Sequence, residues 1–270
     1  MESMPPPAVL TERLTRRFGE HTVVGEVSLT VAAGEVFGLL GRNGAGKSTL
    51  IKMLTTLLPP SAGRARVAGF DIVGQARHVR ERIGYVPQAL SADGELTGLE
   101  NLRVFAQLYD IPRGVREQRI AEALAFMDLS DAAERLVARY SGGMIRRLEI
   151  AQSMLHLPSV LFLDEPTVGL DPVARETVWR HIERLRGEFR TTIFMTTHYM
   201  EEAEALCSRV GILRDGRLVA SGSLGELQAA AGLPAATLES LFARYTGQTP
   251  EGEGGYDATA AARRTSQRLA

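Results

Sequence analysis

The sequence is short of cysteine, of long apolar runs and of excess charge of one sign, and each shortage removes a class of protein. Cys207 is the sole cysteine, so no internal disulfide can form and the cytosol is the expected setting. The longest apolar runs, at 36–40 and 160–163, are four or five residues, against the roughly 20 that a membrane-crossing helix needs. The chain is not expected to span a bilayer by itself. Lys and Arg number 31 against 32 Asp and Glu, a net charge of −1, which argues against a polyanion such as nucleic acid as the main partner. Residues 1–7 carry neither a basic start nor an apolar stretch of signal-peptide length and read as a flexible leader. No internal repeat is evident.

What is present is a chain of 270 residues, 44% of them hydrophobic, enough for one large domain or two small ones. β-type runs at 22–31 and 35–40 are followed by a glycine-rich loop and a helical pattern over 47–58, which Pro59-Pro60 ends. Residues 63–72 read as a small hairpin and 83–86 as a short strand before Pro87. Between about 89 and 140 the β signal fades, and helical patterns at 99–109 and 115–127 suggest an inserted helical subdomain. Ser141 then begins a helix on which Met144, Leu148, Ala151 and Leu155 share one face. Strands at 160–164, 191–196 and 210–213 alternate with helices at 173–186 and 200–206. This order predicts an α/β fold, a mainly parallel sheet with helices on both faces. Residues 224–245 read as one or two surface helices, within a C-terminal accessory segment at 223–246. Residues 247–270, rich in Gly, Ala, Thr and Arg, read as a disordered tail.

Gly41-Arg42-Asn43-Gly44-Ala45-Gly46-Lys47-Ser48-Thr49 has two glycines five positions apart followed by Lys and Ser, the P-loop pattern. It lies between a buried strand and a helix start, so backbone N–H groups and a helix N-terminus worth roughly half a positive charge converge on phosphate. Lys47 is expected to neutralise the β and γ phosphates of ATP and the Ser48 hydroxyl to coordinate Mg²⁺. Leu161-Phe162-Leu163-Asp164-Glu165 ends an apolar strand in two acids, at the carboxyl edge where α/β sheets bind ligands. Asp164 is expected to hold Mg²⁺ through water. Glu165 is placed to polarise an attacking water.

Tyr140-Ser141-Gly142-Gly143-Met144 narrows the field, 20 residues before the acidic strand. Here the chain resembles the ATP-binding-cassette family, whose signature is usually Leu-Ser-Gly-Gly-Gln. The physics agrees, since Ser141 is a good N-cap and Gly142 and Gly143 let backbone approach an anion. Further positions match in order. The resemblance implies that Gln88 contacts Mg²⁺ or the attacking water and that Asp171, in Gly169-Leu170-Asp171, touches a partner subunit. It also implies that His198 senses the γ-phosphate and that Phe18 stacks on adenine. The family usually has Tyr at that last position, and a lone Phe is otherwise a core residue.

The resemblance covers about 8–222 and implies the P-loop ATPase fold of that family, with an N-terminal antiparallel β subdomain and a helical subdomain at about 89–140. Two subunits, as a homodimer, would sandwich ATP and drive a separately encoded integral membrane permease from the cytoplasmic face. The run from Tyr140 to Ile150, with Thr197-His198-Tyr199-Met200-Glu201-Glu202-Ala203-Glu204 and Leu238-Glu239-Ser240-Leu241-Phe242, is similar to the bacterial daunorubicin/doxorubicin-resistance ATPases and implies export of drugs or other hydrophobic compounds. Met144 stands where the family has Gln, and Ile145 where that subgroup often has Arg. A soluble regulatory or assembly ATPase of the same fold is the alternative. DNA-repair relatives insert a coiled coil or zinc modules between P-loop and signature, whereas Thr49 and Ser141 are 92 positions apart. Translation-associated relatives carry two cassettes in one chain, and this chain has one.

Overall fold

Two stretches, one apolar throughout and one apolar up to the acid that ends it, become the centre of the molecule. In the computed structural model, which describes residues 6–247, Val36–Leu40 (β3) and Val160–Asp164 (β7) are buried along their whole length, as strands covered on both faces must be. Thr192–Thr197 (β8) lies between them. With Ile83–Val86 (β6), Arg209–Arg214 (β9) and Arg217–Gly222 (β10) they form a six-stranded sheet in the order β10-β9-β3-β8-β7-β6. All neighbours are parallel except β9 and β10. Phe37, Leu39, Phe162 and Phe194 face one side of this sheet and Leu161, Leu163, Ile193 and Met195 the other. The Phe194 ring centroid is 5.3 Å from that of Phe37 and 5.5 Å from that of Phe162, contacts worth about 1 kcal/mol each beyond the buried area.

The phenylalanine side is closed by the helix Lys47–Leu54 (α1) and by a second sheet. That sheet holds Val9–Phe18 (β1), His21–Val31 (β2), Ala62–Val67 (β4) and Phe70–Asp71 (β5), antiparallel in the order β2-β1-β4-β5. The other side is covered by helices Gly98–Leu108 (α2), Arg113–Phe126 (α3), Gly142–Met154 (α4) and Pro172–Phe189 (α5). Leu102, Ile120, Leu124, Leu148, Val178 and Ile182 from these four helices pack into one continuous core with Leu161 and Ile193 of the sheet. Thr97 caps α2 in a box with Glu100, an arrangement that contributes about 1 kcal/mol.

Several expectations need correction. The strand β1 was not anticipated, because bulges between Thr11 and Leu14, with Arg13 at φ 49°, break its alternation. The short helix Ala76–Arg82 was also missed, since it buries only Val79. The α1 helix stops at Leu54 and not at 58, because Thr55 turns its hydroxyl back onto the Ile51 carbonyl (2.9 Å) and Thr56 takes a left-handed φ of 64°. The hairpin at 63–72 exists, but β4 pairs mainly with β1. The expectation of surface helices at 224–245 fails in part. Leu224–Ala231 and Leu238–Thr246 are helices, yet their Leu227, Leu238, Leu241 and Phe242 form a third core with Leu40, Ala203, Val210 and Ile212. Residues 1–5 of the expected leader and 248–270 of the expected tail lie outside the described residues.

Candidate nucleotide site

The loop between β3 and α1 needs two of its glycines for reasons of space. A Cβ on Gly41 would stand 2.8 Å from the Leu213 carbonyl oxygen, and one on Gly46, whose φ is 102°, would stand 2.7 Å from that of Val23. Gly46 is also the N-cap of α1 and offers no side-chain acceptor, which leaves the first-turn N–H groups of that helix to an anion. Asn43 and Gly44 at the loop's crest are exposed, and Arg42, Ser48 and Thr49 are half-buried.

Lys47 is only 4% exposed. Its ammonium donates to the carbonyls of Gly41 (2.7 Å) and Arg42 (3.2 Å) and pairs with Glu165 Oε1 at 2.9 Å, so all three of its donors are engaged. The acids arrive from the end of β7. Asp164 Oδ1 accepts from the Ser48 hydroxyl (3.1 Å) and from Thr196 Oγ1 (2.7 Å). Glu165 follows at a left-handed φ of 48°, and its N–H donates to Thr196 Oγ1 at 3.0 Å. The Gln88 amide donates to Glu165 Oε2 at 3.2 Å. His198 Nδ1 stands 3.3 Å from the same oxygen without a hydrogen bond of its own. Burial works against the charged Glu165 carboxylate, but His198 and Lys47 outweigh it and bring its pKa down to about 2.

The structure therefore brings Lys47, Ser48, Gln88, Asp164, Glu165 and His198 together and leaves other expected site residues apart from them. Gln88, expected to contact Mg²⁺ or the attacking water, faces Glu165. Ser141 caps α4 by accepting from the Met144 N–H (3.3 Å). Ser141 and Gly142 are exposed, and Gly143 is pressed so closely to Ala174 that a Cβ would come within 2.8 Å of it. Asp171 caps α5 by accepting from the Ala174 N–H (2.9 Å) and is exposed. Phe18 is 49% exposed at the end of β1, so the core alternative fails. The Arg16 guanidinium lies 4.5 Å from its ring centroid.

Sequence reasoning missed Thr196, which fixes both acids at once. The available signal was a Thr-Thr pair following the apolar run Ile193-Phe194-Met195. It also gave no role to Arg146, Glu149 and Glu202, all buried.

Comparison with known proteins decides the family. The model described as "ABC transporter" matches residues 24–168, more than half of the chain. The chain belongs to the ABC transporter family. It is 44% identical over 225 residues to the daunorubicin resistance ATP-binding protein DrrA3 of Streptomyces coeruleorubidus, covering 83% of this chain and 71% of that one. It is 42% identical over 221 residues to the Nod factor export ATP-binding protein I of Ralstonia nicotianae, covering 82% and 68%. A solved structure of the ATP-binding subunit of an ABC transporter superposes with a TM-score of 0.79 at 29% identity, over 88% of this chain and 99% of the other. The fold is thus that of a P-loop ABC ATPase, and the chain is an ATP-hydrolysing enzyme of the ABC transporter family.

Proposed function

We propose that two copies of this chain close around two ATP molecules and deliver that movement to a separately encoded integral membrane permease, which exports drugs or other hydrophobic compounds. The reading is carried by one observation: Lys47, Asp164, Glu165, Gln88 and His198 converge, whereas Ser141 and Gly142 stand exposed at the tip of α4 as an anion-suited half-site that would meet a phosphate loop. A second copy would supply that loop. Asp171, exposed at the start of α5, belongs to the same subunit boundary. The names of the relatives, one a drug resistance and one an export protein, support the outward direction. Among the described residues no helix is long and apolar enough to cross a membrane, which accords with a peripheral subunit at the cytoplasmic face.

Each bound ATP would rest its phosphates on the backbone of 41–49, exchange the carbonyls around Lys47 for the β and γ oxygens, and stack its adenine on Phe18. Among the described residues no three His, Cys, Asp or Glu cluster as a metal site. The Ser48 hydroxyl beside Asp164 nevertheless suits Mg²⁺, which binds through one or two carboxylates and substrate phosphates. Ser48 and Asp164 would hold the ion, which would supply neutralisation of phosphate charge. Glu165 would accept the proton of the attacking water, with Gln88 orienting that water and His198 placed at the γ-phosphate. Hydrolysis removes the γ-phosphate contacts that favour the closed pair, so the pair reopens.

Glu165→Gln tests the site. Turnover should fall by about 10²–10⁴-fold while a MgATP-dependent dimer accumulates in light scattering, and Ser141→Arg in that background should return the monomer. Undiminished turnover removes Glu165 from the base role, and a tight dimer despite Ser141→Arg contradicts the shared site. Extraction from membranes should bring down an integral subunit with the chain. Turnover and dimerisation with no such companion would point to a soluble regulatory or assembly ATPase.

A further inference from the structure

The α4 helix carries a buried polar stripe where an amphipathic helix would carry aliphatics. Arg146, Glu149 and Gln152, three residues apart on one face, are 2%, 3% and 1% exposed. Arg146 and Glu149 bond the segment that follows β6 and contains Gln88, and Gln152 reaches its far end through Asn101 of α2. Arg146 Nη1 donates to the Pro87 carbonyl (2.7 Å) and to Glu149 Oε2 (3.0 Å), and its Nη2 donates to the Gln88 carbonyl (2.8 Å). Glu149 Oε1 accepts from the N–H and hydroxyl of Ser91 and from the Ala92 N–H (3.3 Å). Gln152 donates to Asn101 Oδ1 (3.2 Å), and that Asn101 accepts from the Asp93 N–H (3.0 Å) and donates to the Asp93 carbonyl (2.9 Å).

We infer that Arg146 and Glu149 are positioning residues: they strap the Gln88 segment to α4, so that Gln88 and the Ser141 end of that helix move as one body against Glu165. The inference rests on the roles given above to Gln88, Glu165 and Ser141.

Stability alone is a poor account of this arrangement. Two charges have been taken out of water, and Arg146 Nε has no partner among the described residues. A buried ion pair of this kind is often no better for stability than apolar side chains of the same volume. What the pair supplies instead is directional. It grips the carbonyl of Gln88 itself, whose side-chain amide lies 3.2 Å from Glu165 Oε2, and Arg146 is only five positions from Ser141 on the same rigid helix. Apolar contacts between loop and helix could slide, whereas bonds to backbone carbonyls and N–H groups at both ends of the segment cannot shift without breaking. Engagement of Ser141 by a nucleotide in the partner copy would therefore reset the distance between Gln88 and Glu165.

The full chain carrying Arg146→Met should hydrolyse ATP about 10²-fold more slowly, the penalty of a misplacement of about 1 Å, with KM for MgATP changed by less than about threefold because Lys47 and the phosphate loop are untouched. Arg146→Lys, which keeps the charge but not both carbonyl contacts, should recover part of the loss. Adding Gln88→Ala to Arg146→Met should cost little more, since the two act through one group. A purely structural role predicts lower thermal stability with kcat per folded molecule unchanged, and that result, or losses that simply multiply, overturns the inference. Should Arg146→Met not fold, Glu149→Gln and Arg146→Lys are compared in the same way, and wild-type kcat in both overturns it equally. The Glu165→Gln variant separates the two levels. If it too keeps full turnover, the site reading has failed; if it loses turnover while the Arg146 and Glu149 variants do not, only the strap has failed.

Discussion

Lys47 and Glu165, 118 positions apart in the chain, are joined by an ion pair of 2.9 Å in which both side chains are almost fully buried. Against the cost of burial, His198 and Lys47 together hold the proposed base in a weakly basic form, because a carboxylate with a pKa of about 2 is a poor proton acceptor at neutral pH. Withdrawal of Lys47 toward phosphate would raise that value and so couple the proton affinity of Glu165 to nucleotide occupancy. Lys47→Met should therefore move the Glu165 carboxyl upward from about 2, as read by carbon NMR titration of the side chain. The linkage has a definite sign. A depressed carboxylate contributes stability that is present above its unfolded value near 4.5 and is lost as pH falls toward 2. The variant should show a shallower loss of stability across that window, and an unmoved Glu165 titration would show that His198 and not Lys47 sets the shift.

The two glycines of the phosphate loop with positive φ separate conformational strain from lack of space. Gly44 (φ 81°) has nothing within 4 Å of where a Cβ would sit, while Gly46 (φ 102°) would bring its Cβ 2.7 Å from the Val23 carbonyl oxygen. Gly44→Ala should cost about 1 kcal/mol from backbone strain alone, and Gly46→Ala about 3 kcal/mol. Urea midpoints measured without nucleotide read both. Equal costs would mean that the close approach of β2 to the loop relaxes freely and does not account for Gly46.

The parts of the site that phosphate chemistry dictates were legible, because Gly41 and Gly46 stand where a Cβ would meet backbone and the strand beside them ends in two acids. The centre of the fold was legible for a related reason, since β3 and β7 are buried on both faces and are apolar up to the acid that ends β7. Elements that bury little left no pattern: the helix Ala76–Arg82 hides one side chain, and β10 is mostly half-exposed. The strap at Arg146 and Glu149 was invisible for the opposite reason. Helical periodicity picked out only the face of Met144, Leu148, Ala151 and Leu155, but α4 is buried on nearly every side. Charge at a buried position can be read only once its partner is known, and the partners here are backbone groups of a segment about 58 positions away.

Glu202 provides the remaining test, because it joins the loop after Glu165 to the helix after His198. It is fully buried and its Oε1 accepts from the Thr167 hydroxyl (2.7 Å) and the Trp179 indole N–H (2.9 Å). Burial pushes the carboxyl pKa upward, and Thr197, Thr167 and Trp179 offset that only in part. The stability linked to this group is thus complete below about pH 4.5 and is lost as pH rises through the raised folded value. Glu202→Gln keeps an acceptor for both donors and cannot ionise. It should match the wild type at acid pH and exceed it by about 1 kcal/mol at pH 8, with turnover preserved. Glu202→Ala leaves two buried donors without a partner and should cost about 2–4 kcal/mol at every pH, with turnover lowered as the segments bearing Glu165 and His198 loosen. Thermal unfolding across pH 4 to 8 reads both variants. A Gln variant that is weaker than the wild type throughout would mean that the ionised carboxylate is the form the fold requires, and that the neutral acid is not the device holding these two loops together.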